Sequence, residues 1–316
     1  MQEYTLENES IRLTILDYGA RIKEIFFKPL GKNLVLSYPN NSEYFNDVNF
    51  LGATIGPNAN RLKNGLFTID GIFYKWETNE KTNNLHSGKY GLHLQEWHCR
   101  VENNQIIARF NQKEPFHCLF KATFTIEKAD VKFEYSAIPD SPSLINLTNH
   151  SYFQLDSSET ILDYNLKLNA DFYTPLDENQ IPTGEILKVD GTYLDFKEYK
   201  VLGENIKNNR YDSKFDRGLD DNFLAKDQGL KPLAEIQAED LKMTVYSTAP
   251  AFQVYTANNL IWQGRRKPYG GICIEPQYVP NSINMPYLVQ PIFTKDYPFF
   301  QTNVFSFEMV REHKGD

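Results

Sequence analysis

Four polar clusters interrupt an otherwise apolar rhythm, and each holds side chains that can bind a hydroxyl or move a proton. They are Asn58-Ala59-Asn60-Arg61, Asn83-Asn84-Leu85-His86-Ser87-Gly88, Thr148-Asn149-His150-Ser151 and Gly270-Gly271-Ile272-Cys273-Ile274-Glu275-Pro276-Gln277. The third lies inside NLTNHSYFQL, residues 146–155, which reads as a strand with apolar ends. A polar group buried without a partner costs about 1–3 kcal/mol, so such a cluster needs partners or a cleft. In the fourth, Ile272 and Ile274 alternate with Cys273 and Glu275. If the isoleucines face one side of a strand, Glu275 projects from the other. A histidine and a carboxylate among Asn, Arg and aromatic residues suit a neutral, polyhydroxylated ligand. The amides and the guanidinium bond hydroxyls, aromatic faces pack on the C–H side of a sugar ring, and the His–Glu pair can exchange protons with it.

Each residue also has a plainer reading. Arg61 fits a surface or an ion-paired arginine, and His86 a turn residue. His150 fits a satisfied core histidine, and Glu275 a strand-end charge in water. Metal is the rival use of histidine: His86, His93 and His98 lie close together, with Cys99 beside them. Their spacings match neither H-E-x-x-H nor a paired-cysteine zinc pattern, so no metal is expected. There is no G-x-G-x-x-G opening a helix, no phosphate-binding G-x-x-x-x-G-K-[ST] and no G-x-S-x-G elbow. No cofactor is expected.

The elements that must position these residues have a period of two. Leu66 to Ile69 and Ile72 to Trp76 flank Asp70-Gly71, and an Asp-Gly pair between alternating runs marks a type I′ hairpin. EWHCRV-ENN-QIIARF and KATFTIE-KAD-VKFEYSAI read as two more hairpins, and MTVYSTAP and AFQVYTA as strands. Abundant Tyr and Phe (19 and 22) favour pleated, half-buried surfaces. Short helices are expected only near Ser42-Phe45 and Tyr199-Gly203, and residues 204–222, rich in Lys, Asn, Arg and Asp, read as a long loop. No repeat of 20–50 residues stands out. At 316 residues, length alone would suggest about two domains. Without a linker, the expectation is one large antiparallel β-sandwich domain over residues 1–316.

A net charge of −8 makes nucleic acid an unexpected partner. No apolar run reaches the roughly 18 residues of a spanning helix, and the N-terminus does not read as a secretion signal. The expectation is a soluble cytoplasmic protein with no membrane association. Three cysteines, Cys99, Cys118 and Cys273, argue against a disulfide framework. The sequons at Asn8, Asn40 and Asn146 are read as chance.

Five blocks in order resemble the aldose 1-epimerase family, the galactose mutarotases, over most of the length. IGPNANRLKNGLFTIDG (55–71) is similar to its G-x-x-A-N-R-I-x-x-G-x-F-x-L-D-G block, and NNLHSGKYGLHLQEW (83–97) to its N-x-L-H-G-G…G…W segment. NLTNHSYFQL is close to N-L-T-N-H-x-Y-F-N-L. DFYTPLDENQIPTGEI (171–186) resembles T-P-x-D-x-x-x-I-P-T-G, and GICIEPQYVPNSIN resembles E-[PT]-Q-x-x-P-D-x-x-N. The resemblance implies a large antiparallel β-sandwich that interconverts the α and β anomers of a free aldohexose such as galactose or glucose. Its partner would be that small-molecule sugar. By the same resemblance His150 is the general acid and Glu275 the general base, while Asn60, Arg61, His86 and Asp220 contact substrate. Asp221 adjoins Asp220, which is preferred. Pro57 stands where Arg is common, Ser87 where Gly is usual and Asn281 where Asp is usual. Ordinary pKa values near 4.3 for Glu and 6.5 for His suit this division of roles. An epimerase of a hexose 6-phosphate or a maltose-type disaccharide, or a non-catalytic sugar-binding domain on the same scaffold, is the alternative. Neither the preferred sugar nor an oligomeric state can be read from these residues.

Overall fold

The computed structural model describes residues 1–207 and 218–310. Alternation dominates, and the strands pair antiparallel. Within the largest sheet the order is His98–Glu102, Gln105–Gln112, Cys118–Glu127, Asp130–Pro139, Phe299–Met309, Leu241–Ser247, Lys231–Ala238, Asn165–Leu168 and Lys200–Val201. A second sheet runs Leu187–Lys188, Phe172–Thr174, Asp220–Leu224, Ala251–Tyr255 and Cys273–Gln277. A third is N-terminal: Glu3–Glu7, Ile11–Leu16, Arg21–Phe27 and Lys32–Asn33. One buried apolar cluster draws on all three, with Leu13, Ile15 and Ile25, then Phe120, Phe133 and Phe305, then Phe223, Phe252 and Ile274. This is the all-β sandwich that the period of two implies.

The three hairpins form as expected. Asp70 and Gly71 both have positive φ, 50° and 78°, as a type I′ turn requires. The expected helix near Ser42-Phe45 is a 3-10 stretch, Asn41–Asn46. The one near Tyr199-Gly203 begins later, as the α-helix Leu202–Lys207.

Two expectations need correction. Residues 204–222 are not loop throughout: the helix takes the first of them and the strand Asp220–Leu224 the last, while 208–217 lie outside the described residues. That strand is hard to see because Asp220 lines a polar cavity and Asn222, on the same face, is buried against the Thr174 hydroxyl and the Phe252 carbonyl rather than turned to water. Nor is 146–155 one strand. Thr148–Asn149 pairs with Thr54–Ile55, and Phe153 then bridges Ile272 and Val35. The segment changes partner, because both of its ends are buried against different neighbours. Among the described residues no helix is long and apolar enough to cross a membrane.

Candidate active site

Two rows of side chains cross the second sheet on one face. The register sets Asn222, Gln253 and Glu275 side by side, and Asp220, Tyr255 and Cys273 beside them. The intervening residues Phe223, Phe252, Val254 and Ile274 face the opposite way and are in the core. Period two thus delivers Glu275 to the face opposite Ile274. It sits within Cys273–Gln277, only 2% exposed, so it is not a strand-end charge in water. The same alternation separates the two aspartates. Asp220 lines a cavity of about 230 Å³, together with Asn60, Arg61, His86, His150 and Glu275. All six residues singled out in the sequence therefore meet around one space, from five separate stretches of chain.

His150 is placed by backbone pairing. Its N–H donates to the Ala53 carbonyl at 2.9 Å, and its carbonyl accepts from the Gly52 N–H at 2.9 Å. Gly52 has φ +64°, and a Cβ there would collide with the Ile22 carbonyl, so only glycine lets this segment approach. The Asn149 amide donates to the Gly52 carbonyl at 2.9 Å. The Tyr152 ring stacks on the imidazole at 5.0 Å between centroids. His150 Nδ1 lies 3.6 Å from Cys273 Sγ, and Nε2 lies 3.8 Å from Glu275 Oε1. The second separation exceeds a hydrogen bond, which leaves both groups available to ligand atoms. Glu275 Oε2 is buried without a hydrogen-bond partner.

Asn60 and His86 fix each other. The Asn60 N–H donates to His86 Nδ1 at 3.1 Å, and the His86 N–H donates to the Asn60 carbonyl at 3.1 Å. Nδ1 must therefore be the acceptor, so the neutral ring carries its proton on Nε2 and offers a donor. Both residues have positive φ, 63° and 50°. Ser87, which replaces the family's usual glycine, also has positive φ (67°). Its hydroxyl accepts from the Asn58 N–H at 2.8 Å and donates to the Asn58 carbonyl at 3.1 Å. Asn281 Oδ1 accepts from the Lys63 N–H at 3.1 Å, and the Pro57 carbonyl accepts from the Asn146 N–H at 2.6 Å. The three departures thus brace the loops around the cavity.

Arg61 is clamped. Its Nε and Nη2 donate to the two Glu80 carboxylate oxygens at 2.7 and 2.8 Å, and Nη1 lies 3.9 Å from Asp220 Oδ2. Such a fork-to-fork pair fixes the guanidinium plane. The plain reading of Arg61 as ion-paired is correct, but the pair lines the cavity. Arg61→Ala is expected to raise KM about 10–100-fold, the usual value of a hydrogen bond to a charged group. Steady-state kinetics in which KM stays within twofold would remove Arg61 from sugar binding.

Burial controls the charges. It drives the His150 imidazole down to about 4, a shift its own carbonyl opposes and the nearby Arg21 reinforces. It drives Glu275 well above the ordinary carboxylate range; Asp220 adds to this and Arg61 opposes it. His86 is lowered well below its usual value, first by burial and then by the other histidines. The ordinary values near 6.5 and 4.3 therefore do not apply here. Both shifts favour the uncharged pair, a neutral imidazole at His150 and a protonated carboxyl at Glu275.

The sequence matches the model of a family described as aldose 1-epimerase over residues 2–292. The chain belongs to the aldose 1-epimerase family. Among its relatives is galactose mutarotase of Sus scrofa, 30% identical, the match covering 98% of this chain and 95% of that protein. Another is the aldose 1-epimerase of Escherichia coli K12, also 30% identical, covering 90% and 88%. The fold is similar to that of an aldose epimerase homologue from C. elegans, with TM-score 0.91 at 25% identity, covering 98% of this chain and 99% of that one. It is also similar to galactose 1-epimerase from Lactobacillus acidophilus, with TM-score 0.86 at 25% identity, covering 98% and 95%. As a member of this epimerase family the chain is an isomerase, and it interconverts the anomers of aldoses.

Several side chains of this epimerase site were not found from sequence. Gln253 Nε2 donates to Asp220 Oδ1 at 2.8 Å, and its Oε1 is buried without a partner. A lone glutamine in the apolar run AFQVY was the available signal. Phe50 packs on the rings of His86, His93 and His150. Its loop is held by the buried Arg21–Asp47 pair at 2.7 Å, and Asp47 also accepts from the Leu51 N–H at 2.7 Å; neither has a local signal. The three histidines 86, 93 and 98, close in sequence, do not come together. His86 lines the cavity, His93 is buried behind Phe50 and His98 is exposed. The block at 171–186 lies beside the site: the Asn179 carbonyl accepts from the Asn83 amide at 3.1 Å. A larger cleft, about 560 Å³, carries Lys167, Lys197, Lys200 and Lys226. Each is paired with a carboxylate, and no histidine lines it.

Proposed function

We propose that this epimerase acts on a free aldohexose, galactose or glucose, through Glu275 as base and His150 as acid. The juxtaposition of a buried carboxylate and imidazole 3.8 Å apart in a monosaccharide-sized cavity carries this reading. When the sugar enters, its hydroxyls donate to the unpartnered Oε2 and favour the carboxylate, and the Glu275 proton passes to His150. Glu275 then removes the proton from O1. The O1–H electrons become the C1=O1 π bond, C1–O5 breaks, and O5 takes the proton from His150 Nε2. Rotation about C1–C2 and closure on the other face give the other anomer, with each proton returned. Positioned acid and base groups contribute about 10²–10⁴-fold each. Asn60, Arg61, His86 and Asp220 hold the ring. A phosphorylated sugar suits the cavity poorly, because Arg61 is already held by Glu80 and Asp220 adds further negative charge.

NMR in D₂O on a free hexose and its methyl α-glycoside tests this. A methyl glycoside has no proton on O1, so the base has nothing to remove. Enzyme is expected to speed α/β exchange of the free sugar, leave the glycoside unchanged and place no deuterium on carbon. Released methanol would indicate glycosidase chemistry at the exocyclic bond, and C–D growth would indicate carbon deprotonation; either result sinks the proposal.

The charge state can be read in the free enzyme. With its pKa lowered to about 4, His150 is neutral above that pH and gains a proton only below it. The ¹⁵N shifts of its ring are therefore expected to show a neutral imidazole at pH 6. A His150 ring that titrates near 6.5 would place the resting proton on His150 instead of Glu275.

A further inference from the structure

Cys273 shares the cavity-side face of its strand with Glu275, and its Sγ stands 3.6 Å from His150 Nδ1. The reaction as derived above does not use this thiol. The thiol sulfur, an imidazole nitrogen of His150 and a carboxylate oxygen of Glu275 lie within 4.8 Å of one another, and all three residues are buried. A tetrahedral ion with bonds of about 2.3 Å to sulfur and 2.0 Å to nitrogen holds those two atoms about 3.5 Å apart. The Cys273–His150 spacing is already of that size. Glu275 completes the set if its oxygen closes by about 1 Å from the longest separation. Glu275 Oε2 has no other hydrogen-bond partner, and it is 2% exposed. The cavity beside it presents Glu80 and Asp220 against the single guanidinium of Arg61, a negative field that draws in a divalent cation.

We propose that His150, Cys273 and Glu275 form an inhibitory site for a thiophilic divalent cation of the Zn²⁺ or Cd²⁺ type. Binding converts Cys273–SH into a metal-bound thiolate and the Glu275 carboxyl into a carboxylate, and releases both protons to solvent; no redox change occurs. Thiolate and imidazole together select such ions over hard cations such as Mg²⁺. An ion held on Nδ1 takes the Glu275 carboxylate that must remove the O1 proton and bond the sugar, so metal and sugar exclude each other. The inhibitory consequence rests on the acid and base assignment above; the binding itself does not.

The test is an absorption titration of the full chain with Cd²⁺, followed by mutarotation at each point. One saturable thiolate-to-cadmium band per chain is expected, with activity falling in step and EDTA restoring it. Saturating sugar should shift the titration to higher Cd²⁺. Loss of an outer-shell partner alone costs about 10–100-fold in metal affinity, so loss of a ligand should cost at least that. Cys273→Ser should abolish the band and need at least about tenfold more Cd²⁺ for half-inhibition, whereas Cys99→Ser should change neither. Glu275→Gln keeps the thiol, and its band should require at least about tenfold more Cd²⁺ to saturate. A band that persists in Cys273→Ser, or an unchanged Cd²⁺ affinity in Glu275→Gln, overturns the site. The band needs no turnover, so a fully active His150→Asn variant would remove the assigned acid while leaving the metal titration to be judged separately.

Discussion

Glu275→Gln is expected to lower kcat by about 10²-fold or more, with KM changed far less. The amide occupies nearly the same volume and still bonds hydroxyls, but it cannot take the proton from O1. The fold should tolerate the change. Glu275 is 2% exposed, and burial already favours its uncharged form, which the amide resembles. The row Asn222, Gln253 and Glu275 keeps its register, because backbone bonds set it. Polarimetry on freshly dissolved α-D-galactose and α-D-glucose, with a melting curve for each protein, separates the two effects. A variant that mutarotates at close to the parent rate would end the assignment of Glu275 as base. One that is slow but also melts far lower would trace the loss to folding.

His150→Asn should cost kcat about 10²–10⁴-fold, since the group that protonates O5 is gone. It should also reverse the alkaline side of the pH profile. In the parent protein the pair needs one proton, so the rate falls once Glu275, raised by burial, loses it. Without the imidazole no acid remains to be lost. The residual rate then depends on ionised Glu275 alone and rises through the same pH range. Stopped-flow polarimetry across that range reads the sign directly. A variant whose residual rate still falls with rising pH would mean that some other group supplies the proton.

Much of this was legible in the chain itself. Alternation and the Asp70-Gly71 pair identified antiparallel hairpins because strand periodicity and positive φ at both turn residues are local properties. The polar clusters mark all of the six residues in the cavity except Asp220, which only the family resemblance points to, because polar side chains amid apolar runs need a reason to be there. Residues 220–222, the start of the strand Asp220–Leu224, read as loop because Asp220 faces a cavity and Asn222 is buried against polar partners, which local pattern does not distinguish from solvent. The segment at 146–155 was read as one strand because its change of partner depends on Thr54, Val35 and Ile272, far away in the chain.

Residue type and order determined which groups are available: an imidazole at 150, a carboxylate at 275 and an arginine at 61, set in blocks that resemble one family. Tertiary structure decided what state those groups are in. Arg61 is directed by Glu80 and Asp220, His86 is held in one tautomer by the Asn60 N–H, and Cys273 stands against the far nitrogen of His150. Ordinary pKa values gave the proton to His150, whereas burial gives it to Glu275. Proton affinity and hydrogen-bond direction depend on dielectric and on neighbours within a few ångströms. Those neighbours come from strands more than a hundred residues apart, as His150 and Glu275 do, so no local stretch of sequence encodes them.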